Sequence, residues 1–262
     1  MEKGKCKLCL SEDVYLLTKS HIIPRFLFED MKDEFNSIHE ITPSKYVKGR
    51  NQHIKRPKDA FYESNILCQN CDGRTLKKYE DYIKLMFHKT KKPVDRPMPI
   101  KTWIIRDGAK AHKIKNIDYK MYKLGFLSIL WRASISSLKV FKQVNLGEKH
   151  SEIIREMLLT GKPKDIHHYP FLLALFSRSA KNSSGIASPE LVKMNKYHNY
   201  RFIINGIDVF FMVGSSDVKV PNSLLECVPN DKNEAIIFEH NRAYSTNYAF
   251  RQLISWHKQH KF

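Results

Sequence analysis

Behind Cys71 the segment DGRTLKKYEDYIKLMFHK places apolar residues at Leu76, Tyr79, Ile83, Met86 and Phe87, a spacing that predicts an amphipathic helix. YKMYKLGFLSILWRASISSLKVF and EKHSEIIREMLLTG are two further helix candidates, the second stopped by Gly161. Elsewhere the period drops to two. YRFIINGIDVFFMVG alternates on both sides of Asn205-Gly206, a strong local signal for a β-hairpin. FLLALFSRS reads as a buried strand, EAIIFEH as another, and NYAFRQLISWHKQH as a closing helix. Toward the N-terminus, VYLLTKSHII is rich in β-branched and aromatic residues and is stopped by Pro24, which predicts a short strand. RFLFEDMKDEF then reads as a short helix, and FYESNIL as an apolar strand running into Cys68.

The pattern breaks at TKKPVDRPMPIK, where Pro93, Pro97 and Pro99 stand among lysines. That break predicts an N-terminal unit over residues 1–90, a linker over 91–101 and a second unit over 102–262. The expected fold class is α+β, a small metal-stapled unit followed by a mixed α+β domain containing the hairpin. Residues 36–60, including KYVKGRNQHIKRPKD, read as a basic loop suited either to phosphate or simply to solvent. Internal repeats and glycine-rich phosphate loops are absent from the sequence, which excludes nucleotide-hydrolysing machinery of the P-loop kind.

Charge narrows the picture. The chain has 262 residues, with 45 Lys and Arg against 27 Asp and Glu, a net charge of +18. Such an excess points to a polyanionic partner, with nucleic acid first, although a basic surface that only aids solubility is the alternative. The apolar runs Gly125–Trp131 and Phe171–Phe176 are too short to span a bilayer, so membrane anchoring and export are not expected and the cytoplasm is the expected location.

Four of the five cysteines form two Cys-x-x-Cys pairs, Cys6 with Cys9 and Cys68 with Cys71. Four thiolates match the demand of a tetrahedral zinc, and a structural zinc supplies folding energy to a small unit. Redox-active dithiols are the alternative, disfavoured because such motifs come singly beside a βαβ pattern. Cys227 is expected to be a buried thiol. His21, inside KSHIIP, stands between a polar residue and two isoleucines, so it is either a satisfied core histidine or a tuned base.

CKLC, KSHIIP, SNILCQNC and DGRTLKKYE, taken together over roughly residues 1–85, resemble the HNH, or His-Me finger, endonucleases in their zinc-stapled form. The resemblance implies a treble-clef-like ββα-metal unit in which His21 is the general base, oriented by Asn65. A histidine with a reference pKa near 6.5 suits water activation around neutral pH. The family's cation-binding position after the second knuckle falls on Asp72, a hard oxygen ligand for magnesium or manganese, and Glu80 would complete that site. As a plain sequence feature, Asp72 is also a natural helix N-cap.

Two positions depart from the family pattern: Ser20 stands where an acidic residue or histidine is usual, and Glu63 stands at the usual asparagine position, two residues before Asn65. Arg25, Lys48, Arg50, Lys55, Arg56, Arg74, Lys77 and Lys78 are the expected phosphate contacts. The implied function is a metal-dependent endonuclease acting on nucleic acid, DNA ahead of RNA with both left open, in phage defence or restriction. Two alternatives stay open: a zinc-dependent nucleic-acid-binding protein without catalysis, and a nuclease subunit that works only with a protein partner docked on residues 102–262. His39 and His53 are expected at the surface, and His88, His112, His150, His167 and His168 receive no role.

Overall fold

The computed structural model describes residues 1–28, 40–41, 61–87, 98–104, 109–176, 186–194, 197–214, 220, 225, 227–230 and 232–240. Among the described residues nine strands form one sheet in the order β4 (Glu40–Ile41), β9 (Ile186–Ala187), β11 (Tyr197–Ile204), β12 (Ile207–Val213), β8 (Phe171–Phe176), β13 (Ala235–His240), β7 (Lys110–Lys115), β6 (Met98–Ile104), with β10 (Glu190–Met194) also on β11. Neighbours are antiparallel except for β8 with β13 and β4 with β9, which run parallel. The protein is thus mixed α+β, with a large sheet and few helices. The expected hairpin is β11–β12, and Asn205 (φ 48°) and Gly206 (φ 78°) supply the two left-handed residues that its tight turn needs.

Strand β12 is buried at every position, because both faces of the sheet are covered. Val209, Phe211 and Val213 join the main core under the helices. Phe210 and Met212 join a second core with Leu172, Ala174, Ile236, Phe238, Val228 and Cys227. Asp208, fully buried on that second face, is answered by Arg201 at 2.6 Å, since an isolated buried carboxylate would cost far more than a paired one.

Among the described residues three α-helices cover the first face: α1 (Lys77–Phe87), α2 (Tyr119–Ile135) and α3 (Gly147–Thr160). Helix α2 begins where the Asp118 carboxylate accepts from the Met121 amide at 2.9 Å, and it is buried almost all round. Gly125 lets α1 approach it: a Cβ there would lie 2.5 Å from Ile83 Cδ1 and 3.1 Å from the Tyr79 carbonyl. Helix α3 ends at Gly161 in the left-handed region (φ 69°). Among the described residues no helix is long and apolar enough to cross a membrane.

The N-terminal segment departs from the expected long strands. VYLLTKSHII is divided among β2 (Val14–Tyr15), a bridge from Leu16 to Cys68, and β3 (Ser20–His21). Each piece has a different partner: β2 pairs with β1 (Lys3–Gly4), and β3 with β5 (Tyr62–Glu63). Of the expected helix RFLFEDMKDEF, Arg25–Leu27 form a single 3-10 turn; residues 29–35, like the closing helix over 247–260, lie outside the described residues. The expected linker is also revised. Residues 98–101 begin β6, an edge strand whose irregular register between Pro99 and Lys101 accommodates the proline, and 91–97 lie outside the described residues. One hydrophobic core runs from Cys6 to Ile237, so the two expected halves share it.

Candidate functional site

The first knuckle sits at the tip of the β1–β2 ribbon. The Leu10 amide donates to the Cys6 carbonyl at 2.9 Å and the Cys6 amide to the Ser11 carbonyl at 3.0 Å, with Leu10 left-handed (φ 62°). This tight turn brings Cys9 back beside Cys6. The second knuckle opens a π-helical turn, Cys71–Leu76, that continues into α1. Main-chain bonds join the two: the Lys7 amide donates to the Ile66 carbonyl and the Leu17 amide to the Leu67 carbonyl, both at 2.9 Å.

The sulfurs of Cys6, Cys9, Cys68 and Cys71 consequently all lie within 4.8 Å of one another, the only such ligand cluster among the described residues. A tetrahedron with Zn–S near 2.3 Å has edges of about 3.8 Å, so the set fits zinc with little adjustment. Its electrostatics also ask for a cation. The Cys6 thiol, accepting from Cys71, is lowered to about 4, and it accepts from the Cys68 amide at 3.4 Å. Donation to Cys6 holds Cys71 well above the usual thiol range, and burial raises Cys68. Without a cation this pocket stabilises one thiolate at its neighbours' expense; a divalent ion would let all four ionise.

Beside the knuckles, Ser20 pairs with Glu63 and His21 with Tyr62, and the Ile22 amide donates to the Phe61 carbonyl at 2.7 Å. Alternation then sorts the strand. Ser20 and Ile22 are fully buried, whereas His21 is half-buried on the opposite face, its ring 6.5 Å from Tyr62 and 6.3 Å from Phe28. Ser20 Oγ is buried without a hydrogen-bond partner among the described residues. Asn65, left-handed at φ 61°, donates from Nδ2 to Glu2 at 2.7 Å, tying the hairpin to the N-terminus. The Glu63 carboxylate accepts from the Ser137 amide at 3.0 Å and from its hydroxyl at 2.8 Å.

Asp72 lies in the first turn of the π-helical segment, behind the cap position of Asn70, where no side-chain cap bond is made. Burial raises its carboxyl to about 6, against the lowering effect of Arg132 and with a further rise from Glu80. Glu80 Oε1 is 2.6 Å from Arg132 Nη1. The structure therefore brings Asp72, Glu80 and Arg132 into one electrostatic group at the foot of α1. Two oxygen donors, one already paired with arginine, do not by themselves enclose a hard cation, though magnesium keeps most of its waters and needs few carboxylates.

Of the expected phosphate contacts, Arg25, Arg74 and Lys78 are exposed, Lys78 over the Tyr79 ring at 4.8 Å. Lys77 pairs with Asp81 at 2.7 Å, and Lys48, Arg50, Lys55 and Arg56 lie outside the described residues. Several contacts missed by sequence reasoning fasten this region to the second half. Arg132 Nη1 donates to the His21 carbonyl at 2.6 Å, Arg155 Nη1 to the Leu8 carbonyl at 2.5 Å, and Lys7 Nζ to the Ile135 carbonyl at 3.0 Å. One signal was present: a lone arginine inside GFLSILWRASI must find partners if that helix is buried. Comparison with protein-family models, curated proteins and solved structures returns no match.

Proposed function

We propose that the protein is a metal-dependent endonuclease of the HNH kind, hydrolysing phosphodiester bonds of nucleic acid, DNA in the first instance. The observation that carries the reading is the hairpin of His21 and Tyr62, half-open to solvent and held beside a four-cysteine cluster whose second knuckle leads directly into a helix. In this reading residues 1–90 form the treble-clef-like ββα-metal unit and the four cysteines hold structural zinc. His21 takes the proton of the attacking water, which a neutral imidazole does well near pH 7. A magnesium or manganese ion held by Asp72 would supply positive charge to the phosphate and the departing oxygen. Arg25, Arg74 and Lys78 hold the backbone without reading its sequence. Asn65, bound to Glu2, steadies the hairpin and so the base. Action in phage defence, in the cytoplasm, is the context in which this reading sits.

The test uses pure protein on plasmid and single-stranded substrates in magnesium or manganese. Wild-type protein is expected to cut, and His21→Ala to abolish cutting with zinc content unchanged; equal cutting by both would remove the assigned base. The Ser20 hydroxyl, without a partner among the described residues and at the position where the family carries a metal ligand, favours a second reading, a zinc-dependent binding module without catalysis. That reading expects salt-sensitive binding and no product with any divalent ion.

A further inference from the structure

The guanidinium of Arg132 is 1% exposed, on a helix buried mostly through apolar side chains. Its own helix aims it: Nε donates to the Ser128 carbonyl at 3.2 Å and Nη2 to the Ser128 hydroxyl at 3.3 Å. That leaves Nη1 for two partners on separate elements, the His21 carbonyl at 2.6 Å and the Glu80 carboxylate at 2.6 Å. One planar group thus spans from the backbone of the histidine strand to the helix that carries Asp72 and Glu80. The strand it touches is only two residues long, so its own ladder fixes the position of His21 weakly.

Resting on the nuclease reading, we infer that Arg132, contributed by the second half of the chain, is the positioning residue of the site, setting the distance between His21 and helix α1. It touches no substrate. A reacting geometry displaced by about 1 Å costs on the order of 100-fold in rate, and lysine cannot reproduce the arrangement because its ammonium lacks the planar fork that Ser128 anchors. The nuclease unit is therefore incomplete without residues beyond the sheet's first strands.

The experiment compares full-length, zinc-loaded wild type, His21→Ala and Arg132→Lys; the lysine retains a countercharge for the partly buried carboxylate of Glu80. Single-turnover cleavage of a labelled duplex is read in manganese, and duplex affinity in calcium. Arg132→Lys is expected to cleave about 100-fold more slowly, with zinc content and duplex affinity as in wild type and faster amide exchange confined to residues 20–23 and 61–64. A wild-type rate in Arg132→Lys, while His21→Ala is dead, would overturn the inference and leave the nuclease reading standing. A rate loss that merely tracks loss of zinc or of folded protein would overturn it as well. If wild type cuts no better than His21→Ala, the nuclease reading falls and takes the inference with it.

Discussion

The region around the knuckles and the nine-stranded sheet hold their shape by different means. At the centre of the sheet, β8, β11 and β12 bury nearly every described side chain, and one ion pair, Arg201 with Asp208, is buried there as well. Around the knuckles the strands are two residues long. Order there comes from four converging thiols, main-chain bonds between the knuckles, and polar contacts reaching in from α2, α3 and the turn after α2. A sheet core tolerates small local changes because many contacts share the load; a site built from a few directed groups does not. The candidate chemistry sits in the second kind of region, where geometry is set by donors and acceptors rather than by volume.

The strongest way to break the comparison is to deprive the knuckles of metal. Zinc binding is worth on the order of 10 kcal/mol in small four-ligand peptides, so chelation, or Cys68→Ser with Cys71→Ser, is expected to strip amide protection from residues 1–28 and 61–76. β8, β12 and β13 should stay protected in the same hydrogen-exchange experiment. Uniform loss across both regions would erase the distinction. Next in size, Phe211→Ala in the sheet core is expected to cost about 3–5 kcal/mol, read as a lower Tm with bound zinc unchanged.

One pH effect belongs to the second half. Burial lowers Lys123 to about 7, with Asp165 opposing, and its ammonium donates to the Tyr119 hydroxyl and the Asp165 carbonyl. Between about 7 and the ordinary lysine range the native state binds fewer protons than the unfolded chain, so this group makes stability rise with pH across that window. Lys123→Met is expected to flatten that rise in Tm between pH 7 and pH 9.5; an unchanged slope would show that Lys123 stays charged in the fold. Smallest of all, Ser137→Ala removes the hydroxyl bond to Glu63 and is expected to cost about 1 kcal/mol, visible as faster exchange at residues 61–64 only.

These effects also mark what a reader of the sequence alone could see. The cysteine pairs, the Asn205-Gly206 turn and helix α1 are local signals, each carried by a few neighbouring residues, and the structure has all three. Cys227 is buried as expected. Strand β6 was hidden because its prolines resemble linker composition, and only an edge position with a shifted register makes Pro99 tolerable there. Arg132 and its His21 partner lie 111 residues apart, and Ser137 and Glu63 lie 74 apart; no periodicity encodes such pairs. In the sequence Asp72 reads as ligand or as helix cap; the structure puts Asn70 at the cap position, and the ligand role belongs to the proposed function.

The most direct test of the central claim is the crystal structure of the full-length, zinc-loaded protein with a duplex in calcium, which holds DNA without cutting it. A backbone phosphate should lie at the His21 imidazole, in hydrogen-bond reach at about 3 Å or through one water, with the zinc on the four sulfurs. A duplex seated on a different face, with no phosphate near His21, would contradict the account.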